Sequence, residues 1–203
     1  MIEWEYEYHP NRATVESKCA EMHQRALTCK LLKQSIVEDT RPSHEEIFSE
    51  VVPLNAEHFA GSYRGANYPY LIGYGVRIGR YIGTQPNFVA KEMRELHQQL
   101  VQFGEKYKEY EARVRPVRKQ KIALLARMVS EYIVWFLSIH PYANGNGHMS
   151  RLLALVLFDM QGLQISGWDL DERPEKPFDD CIVAYREGDP EPLTWYFYER
   201  LVA

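Results

Sequence analysis

The sequence predicts an all-α protein, a helical bundle that carries one small β-hairpin. Apolar residues recur at steps of three and four over most of the 203 residues, which is typical of amphipathic helices. Residues 61–86 differ, because glycines there alternate with β-branched and aromatic residues, a pattern that favours a hairpin. Residues 121–139 are apolar on nearly all sides, as expected for a helix buried within a bundle.

The N-terminal part of the chain predicts two helices. The first spans about residues 14–36, where apolar residues lie on one face. Ser43 and Glu46 have the spacing of a capping box, and Pro53 would end a helix that begins there. A second, short helix is therefore expected between Ser43 and Pro53. We expect one domain over residues 1–203, with a core of about 44–202 on which the first helix packs.

The remaining helices are marked by prolines and glycines. A charged helical pattern runs from Asn87 to about Val114. The apolar helix is expected to stop at His140, because the following Pro141 disfavours helical geometry there. Residues 149–162 resume helical spacing up to a terminal glycine, and residues 178–189 and 190–201 predict two short helices.

Composition and charge narrow the class of protein. The formal net charge of −4 lacks the positive field that non-specific nucleic-acid binding needs, so no nucleic-acid partner is expected. The N-terminus is acidic where a signal peptide would be basic, and no apolar run approaches the length of a membrane span, so no membrane association is expected. Three cysteines without a CxxC spacing predict a reduced, cytoplasmic protein.

Residues 140–151, HPYANGNGHMSR, concentrate the chemistry of the chain. Gly145, Asn146 and Gly147 precede a helix whose first N–H groups are unpaired, so a phosphate can approach them. Arg151 can add a bidentate contact to the same anion, and His140 could act as a general base, because the unperturbed pKa of histidine, about 6.5, leaves it largely neutral at pH 7. A simple turn with a capping histidine is the alternative interpretation.

The order of residues in this loop resembles the motif of Fic (Fic/Doc) domains, named for filamentation induced by cAMP. That motif reads His-Pro-Phe, any residue, an acidic residue, Gly-Asn-Gly-Arg, two residues, Arg. The resemblance extends to AGSYR (60–64), to VRIG (76–79) with the QPNFVAKEMREL that follows, to AEMHQRAL near the start and to YREGDPEPLTWYFYERL near the end. It implies a Fic-like helical bundle with a β-hairpin flap beside the active-site loop.

The resemblance also implies an activity, because most characterised Fic proteins are adenylyltransferases. They transfer AMP from ATP, with Mg²⁺ or Mn²⁺, to a Tyr, Thr or Ser hydroxyl of a target protein. By this resemblance His140 is the base, Tyr142 replaces the usual phenylalanine, and Arg151 binds the terminal phosphates. The nucleotide-binding residues would be Asn144, Gly145, Asn146, Gly147, His148 and Arg151.

The resemblance further implies a flap that docks the target. The strand over residues 76–82 would bind a target segment by strand addition, which supplies main-chain hydrogen bonds without demanding a sequence. The expected docking residues are Val76, Arg77, Ile78, Gly79 and Ile82.

Two residues depart from the family motif, and both would touch the nucleotide. Asn144 stands where an acidic metal ligand is expected, and its amide oxygen is a weaker ligand for Mg²⁺ than a carboxylate. His148 stands where an arginine is expected and is mostly uncharged at pH 7. The departures leave two alternative functions open. One is a Fic-like transferase that uses another nucleotide or phosphate-containing donor, and the other is a catalytically weak toxin or interaction module.

Three further alternatives concern regulation and metals. An inhibitory antitoxin acting in trans is one expected partner. Residues 17–22, SKCAEM, match the family's inhibitory motif only in part, so self-inhibition is not expected. His140 and His148 could bind a transition metal as a pair, but no third ligand lies in obvious register.

Overall fold

The computed structural model describes residues 4–202, which form eight α-helices and one two-stranded sheet. Single 3-10 turns occur at Tyr6–Tyr8 and Glu57–Phe59. The helices are α1 (Arg12–Thr28), α2 (Lys30–Glu38), α3 (Arg41–Phe48), α4 (Pro86–Val114), α5 (Arg118–Ile139), α6 (Asn146–Asp159), α7 (Phe178–Arg186) and α8 (Glu191–Val202). The strands are β1 (Arg77–Ile78) and β2 (Tyr81–Ile82). The prediction of an all-α fold with one hairpin is confirmed.

Helix α5 is the centre of the bundle. It packs against α4, α6, α7 and α8, and buried side chains occur all around it. This explains its composition, because a helix with neighbours on most sides has little surface to give to polar residues. Its C-terminal end therefore delivers the next residues, the Fic-like loop, to a fixed place.

The apolar character of α5 corrects one expectation. In the described part of the chain, this helix is long and apolar enough to cross a membrane, whereas the sequence suggested that no run approaches such a length. Arg127 and Glu131 interrupt the run, but they are few enough that the surrounding window stays strongly apolar. Half of that window is buried against the rest of the protein, as in the core helix of a bundle.

The single helix expected over residues 14–36 is divided into α1 and α2. Cys29 between them has extended geometry, with φ −106° and ψ 105°. The break lets each segment pack on a neighbour of its own, α1 on α3 and α2 on α4, while both contact α6. Tertiary packing has thus overridden a continuous amphipathic pattern.

The next helix, α3, begins before the expected capping box. It starts at Arg41, directly after Thr40, and Ser43 lies buried inside it. Pro42 occupies the start of α3, where its fixed φ suits the first turn of a helix. The predicted capping box of Ser43 and Glu46 is therefore wrong.

The hairpin is shorter than the glycine-rich segment that predicted it. Ile78 pairs with Tyr81, and Arg77 pairs with Ile82, in antiparallel register. Gly79 has φ +60°, which the tight turn between the strands requires. The rest of residues 61–85 is irregular, and the hairpin lies on the same side of the bundle as the loop after α5.

Candidate active site

The Fic-like loop joins α5 to α6. His140 ends α5 in the left-handed region, with φ 53° and ψ 62°, a conformation that is uncommon for residues other than glycine. Gly145 precedes α6 with φ 78°, so Asn146, Gly147 and His148 lie in the first turn of that helix rather than before it. Helix α6 thus begins three residues earlier than the sequence predicted.

Only glycine fits at position 145. A Cβ atom there would lie 2.5 Å from Cε2 of Phe48 and 3.0 Å from Nε2 of His44. The positive φ of Gly145 is a second reason, because a residue with a Cβ atom is strained in the left-handed conformation. The start of α6 is therefore pressed against α3.

Asn146 holds the shape of the loop with its side chain. Its Oδ1 accepts from the backbone N–H of Tyr142 at 2.9 Å, and its Nδ2 donates to the Tyr142 carbonyl at 2.9 Å. The Tyr142 hydroxyl lies 2.7 Å from that of Thr40. The side-chain amide of Asn146 is therefore engaged within the loop itself.

His44 fixes the loop from the side of α3. Its ring stacks on that of Tyr142, with centroids 3.8 Å apart and planes within 9°. Its Nδ1 accepts from the N–H of Gly61 at 3.0 Å, so Nε2 carries the proton and donates to the Asn144 carbonyl at 3.0 Å. Burial lowers the pKa of His44 to about 3, and a neutral ring is what these two hydrogen bonds need.

Arg64 connects the loop to the hairpin segment. Its guanidinium is fully buried and donates to four carbonyls: those of His140 (2.7 Å), Tyr74 (2.8 Å), Ile139 (2.9 Å) and Thr84 (3.0 Å). Its backbone N–H also donates to Pro141 at 2.8 Å. One cation thus sets the position of the hairpin base relative to His140.

His140 is partly buried and uncharged at neutral pH. Burial is the main cause that lowers its pKa to about 4, and the positive charge of Arg64 lowers it further; the Leu137 carbonyl raises the pKa, and Arg186 has a smaller, lowering effect. Its Nδ1 has no hydrogen-bond partner of good geometry among the described residues. A neutral imidazole can accept a proton, so its protonation state suits a general base.

A cavity of about 760 Å³ brings these groups together. The predicted residues that line it are His140, Asn144, Gly145, Gly147, His148, Arg151, Ile78 and Gly79. Val76, Arg77, Ile82 and Asn146 were also predicted site residues but do not line it. Ile82 is 77% exposed at the outer edge of the hairpin, so the hairpin covers the cavity with only part of the expected docking segment.

The contacts of Asn144 do not support its predicted role as a metal ligand. Its Oδ1 accepts from the N–H of Gly145 at 2.6 Å, and its Nδ2 donates to the Trp4 carbonyl at 2.7 Å. The amide oxygen, the only side-chain atom of Asn144 that could bind Mg²⁺, is therefore already engaged by a hydrogen bond within the loop. The N-terminal segment competes for this side chain, which the loop motif alone could not reveal.

His148 and Arg151 line the cavity but already have protein partners. Nε2 of His148 lies 3.2 Å from the Tyr6 hydroxyl and 3.4 Å from Oδ1 of Asp171. Arg151 donates to the Leu170 carbonyl from Nε at 2.9 Å and from Nη2 at 2.6 Å. Burial is the main cause that lowers the pKa of both groups.

Comparisons with solved structures identify the fold. BepC, a VirB-translocated effector of Bartonella tribocorum with bound AMPPNP, aligns with a TM-score of 0.60 at 16% identity, over 93% of this chain and 83% of that one. The N-terminal Fic domain of a Bep effector of Bartonella quintana, with bound ADP, aligns with a TM-score of 0.59 at 18% identity, over 95% and 86%. The chain has the Fic fold.

Sequence comparison adds nothing to the fold assignment. No family model matches the sequence, and no curated protein matches it. A third structure with the Fic fold, the N-terminal domain of Bep8 from Bartonella sp. 1-1C, has a TM-score of 0.59 at 14% identity over 99% of this chain and 90% of that one. The Fic fold therefore extends over nearly the whole described chain.

Several residues of this Fic fold are important to the site but were not singled out from the sequence. Arg64 lies in the AGSYR stretch and Arg186 in the YREGDPEPL stretch, so the resemblance marked their regions but not their roles. Arg186 donates from Nη2 to the Leu137 carbonyl at 2.9 Å, while its buried Nε has no partner among the described residues. His44, Tyr6 and Asp171 carry no motif signal at all.

Proposed function

We propose that the protein transfers AMP from ATP to a tyrosine, threonine or serine hydroxyl of a target protein. One observation carries the proposal: His140 and the N-terminal turn of α6 line the same cavity. A base and an anion site then meet at the place where a phosphate and a hydroxyl must react. The nucleotides bound to two neighbours of the same fold support this choice of co-substrate.

The phosphates would bind at the start of α6. The first N–H groups of a helix have no internal partner and attract anions, and Gly147 provides room for close approach. Arg151 keeps Nη1 beside Gly147, 3.2 Å from the position that a Cβ there would take. Arg186, whose Nε has no hydrogen-bond partner among the described residues, also lines the cavity and supplies a second positive charge.

His140 would act as the general base. In the proposed step the target oxygen forms a bond to the α-phosphorus, the bond from that phosphorus to the bridging oxygen breaks, and pyrophosphate leaves. The hydroxyl proton goes to His140. A pKa of about 4 makes the free imidazole a weak base, and bound phosphates would raise that pKa because a nearby negative charge favours the protonated form. Mg²⁺ or Mn²⁺ would bind mainly through the phosphates.

The target would dock on the hairpin. Each strand of this two-stranded sheet has one edge without a partner in the described chain. A target segment could add to an edge through main-chain hydrogen bonds, next to the cavity wall that Ile78 and Gly79 form. A cytoplasmic location and an antitoxin acting in trans belong to the same proposal.

A second candidate, a transferase with another phosphate-containing donor, is favoured by one observation. The two side chains expected at the terminal phosphates are engaged elsewhere, Arg151 with Leu170 and His148 with Asp171. A donor whose leaving group needs fewer cationic contacts would suit this arrangement. The base and the anion site would be the same for either donor.

Labelled nucleotides distinguish the candidates. The protein is incubated with cell lysate, Mg²⁺ or Mn²⁺, and each nucleoside triphosphate labelled at the α-phosphate, with γ-labelled ATP in parallel. Label from α-labelled ATP but not from γ-labelled ATP supports AMP transfer, and label from another donor supports the second candidate. His140→Ala should lower transfer on the order of 10²- to 10⁴-fold without loss of the fold. Equal labelling by this variant would contradict both candidates.

A further inference from the structure

Three side chains of the metal-ligand type meet beside the cavity, and two of them line it. Cys19 comes from α1, His148 from the first turn of α6, and Asp171 from the loop between α6 and α7. One ligand atom from each can be chosen so that all three lie within 4.8 Å of one another. We propose that Cys19, His148 and Asp171 bind a zinc ion, in a site separate from the Mg²⁺ that would accompany a nucleotide.

The spacing of these groups is close to that of a tetrahedral site. Nε2 of His148 and Oδ1 of Asp171 are 3.4 Å apart. Zinc bonds of about 2.0–2.2 Å to nitrogen and oxygen and about 2.3 Å to sulfur place neighbouring ligands about 3.3–3.7 Å apart. The nitrogen and oxygen therefore already have the required separation, and the thiol needs to approach by only about an ångström.

The donor set selects zinc over the hard cations. A thiolate, an imidazole and a carboxylate together match the ligands that proteins use for zinc, whereas Mg²⁺ and Ca²⁺ prefer oxygen alone. The thiol of Cys19 makes no hydrogen bond within residues 4–202, although it is almost fully buried. No described group competes for the sulfur, and because burial raises the pKa of this thiol to about 12, zinc would bind it by displacing its proton.

An ion has a path to the site. His148 and Asp171 line the cavity, whereas Cys19 is buried and does not line it. The fourth position of a tetrahedral ion would then face the cavity, where water or the hydroxyl of Tyr6, 3.2 Å from Nε2 of His148, could fill it. Arg151 adds a neighbouring positive charge, but its hydrogen bonds direct two of its nitrogens to the Leu170 carbonyl.

The ion would also connect distant parts of the chain. Cys19 and His148 lie on helices that contact each other, α1 and α6. Asp171 belongs to the loop whose Leu170 carbonyl accepts hydrogen bonds from Arg151. Zinc would thus link α1 to the start of α6. Because the proposal needs no nucleotide, it holds or fails independently of the proposed transfer reaction.

Cobalt(II) provides the test, because it replaces zinc and shows a charge-transfer absorption when a thiolate binds it. Protein treated with a chelator and dialysed is titrated with Co²⁺, then with Zn²⁺. We expect the absorption to saturate at one equivalent, to disappear on addition of Zn²⁺, and to be absent in Cys19→Ala. Asp171→Asn, which keeps all three cysteines, should bind Co²⁺ at least about tenfold more weakly.

The other two cysteines are matched controls. Cys29 is exposed and Cys181 is buried in α7, so Cys29→Ala and Cys181→Ala should retain the full absorption. Zinc should raise the unfolding temperature of the wild type and of these controls but not that of Cys19→Ala. Absence of the absorption in the wild type, or its persistence in Cys19→Ala, would overturn the proposal.

Discussion

Arg64 donates from Nε to the backbone carbonyl of His140, with 2.7 Å between nitrogen and oxygen. The same guanidinium binds the carbonyls of Tyr74 and Thr84, which flank the hairpin. The side chain of Arg64 therefore holds both His140, the proposed general base, and the two ends of the hairpin segment. Stability and active-site geometry should depend on this contact together.

Arg64→Lys should destabilise the protein by about 3 kcal/mol or more, because an ammonium group cannot reach four carbonyls and those left unpaired are buried. The measurement is the free energy of unfolding in urea. Arg77→Lys, an exposed position in β1, is the control and should change it by less than about 0.5 kcal/mol. Similar values for the two variants would show that the Arg64 contacts contribute little.

Gly145→Ala should cost more stability than Gly167→Ala. Both glycines have positive φ, +78° and +61°, but a Cβ at 145 meets Phe48 at 2.5 Å while one at 167 meets nothing within 4 Å. The control should therefore lose about 1–2 kcal/mol from backbone strain, and Gly145→Ala about 1–3 kcal/mol more from the clash. Equal losses in urea unfolding would mean that α3 moves aside without cost.

Acid should destabilise the protein below about pH 6.5, the ordinary pKa of histidine. His44 and His140 have folded-state pKa values of about 3 and about 4. As the pH falls from about 6.5 towards about 4, these histidines become protonated in the unfolded chain but stay neutral in the folded one. The free energy of unfolding is therefore unaffected by them above this range and decreases within it. Each histidine contributes a slope of about 1.4 kcal/mol per pH unit.

His44→Gln isolates one of these contributions. A glutamine amide offers an acceptor and a donor, as the neutral ring does to Gly61 and Asn144, but it does not titrate. Urea unfolding at several pH values should give a slope smaller by about one histidine's share. Circular dichroism at neutral pH checks that the variant is folded. If the free energy of unfolding changed with pH equally in the variant and the wild type, His44 would not be a buried neutral side chain.

Asn144→Asp should lower the Mg²⁺ concentration needed for half-maximal binding of a non-hydrolysable ATP analogue. A carboxylate cannot donate to the Trp4 carbonyl, and Glu7 lies 3.5 Å from the present amide nitrogen, so repulsion should turn the new carboxylate towards the cavity, where it can bind the metal. Calorimetric titration measures the effect. Asn144→Ala, which loses the same hydrogen bond without adding charge, is the control, and equal Mg²⁺ dependence would mean that residue 144 does not reach the metal.

Local signals in the sequence predicted most helices and the motif loop. Helix α5 ends at Ile139 because Pro141 acts on its neighbour, and α4 was predicted within a residue of its start at Pro86. Two of the predictions that failed, the single first helix and the capping box, concern places where two local patterns are both possible. Packing on α3, α4 and α6 decided between them.

The candidate site was predictable to the extent that it is contiguous in the chain. His140, Gly145 and Arg151 lie within twelve residues, so their spacing alone indicates a base beside an anion site. The direction of each side chain was not predictable. Asn144 turns to Trp4, 140 positions away, and His148 to Tyr6, 142 positions away.

Tertiary structure alone determined which distant residues meet at this loop. Arg64, His44, Cys19 and Asp171 are separated from the motif by intervening helices or loops, and no pattern of local spacing relates them to it. Periodicity specifies which face of a helix is buried, but the neighbour that covers this face follows from how all the buried faces fit together. The sequence by itself thus determined the helices and a contiguous loop with a base and an anion site, whereas packing decided which polar groups became the partners of that loop.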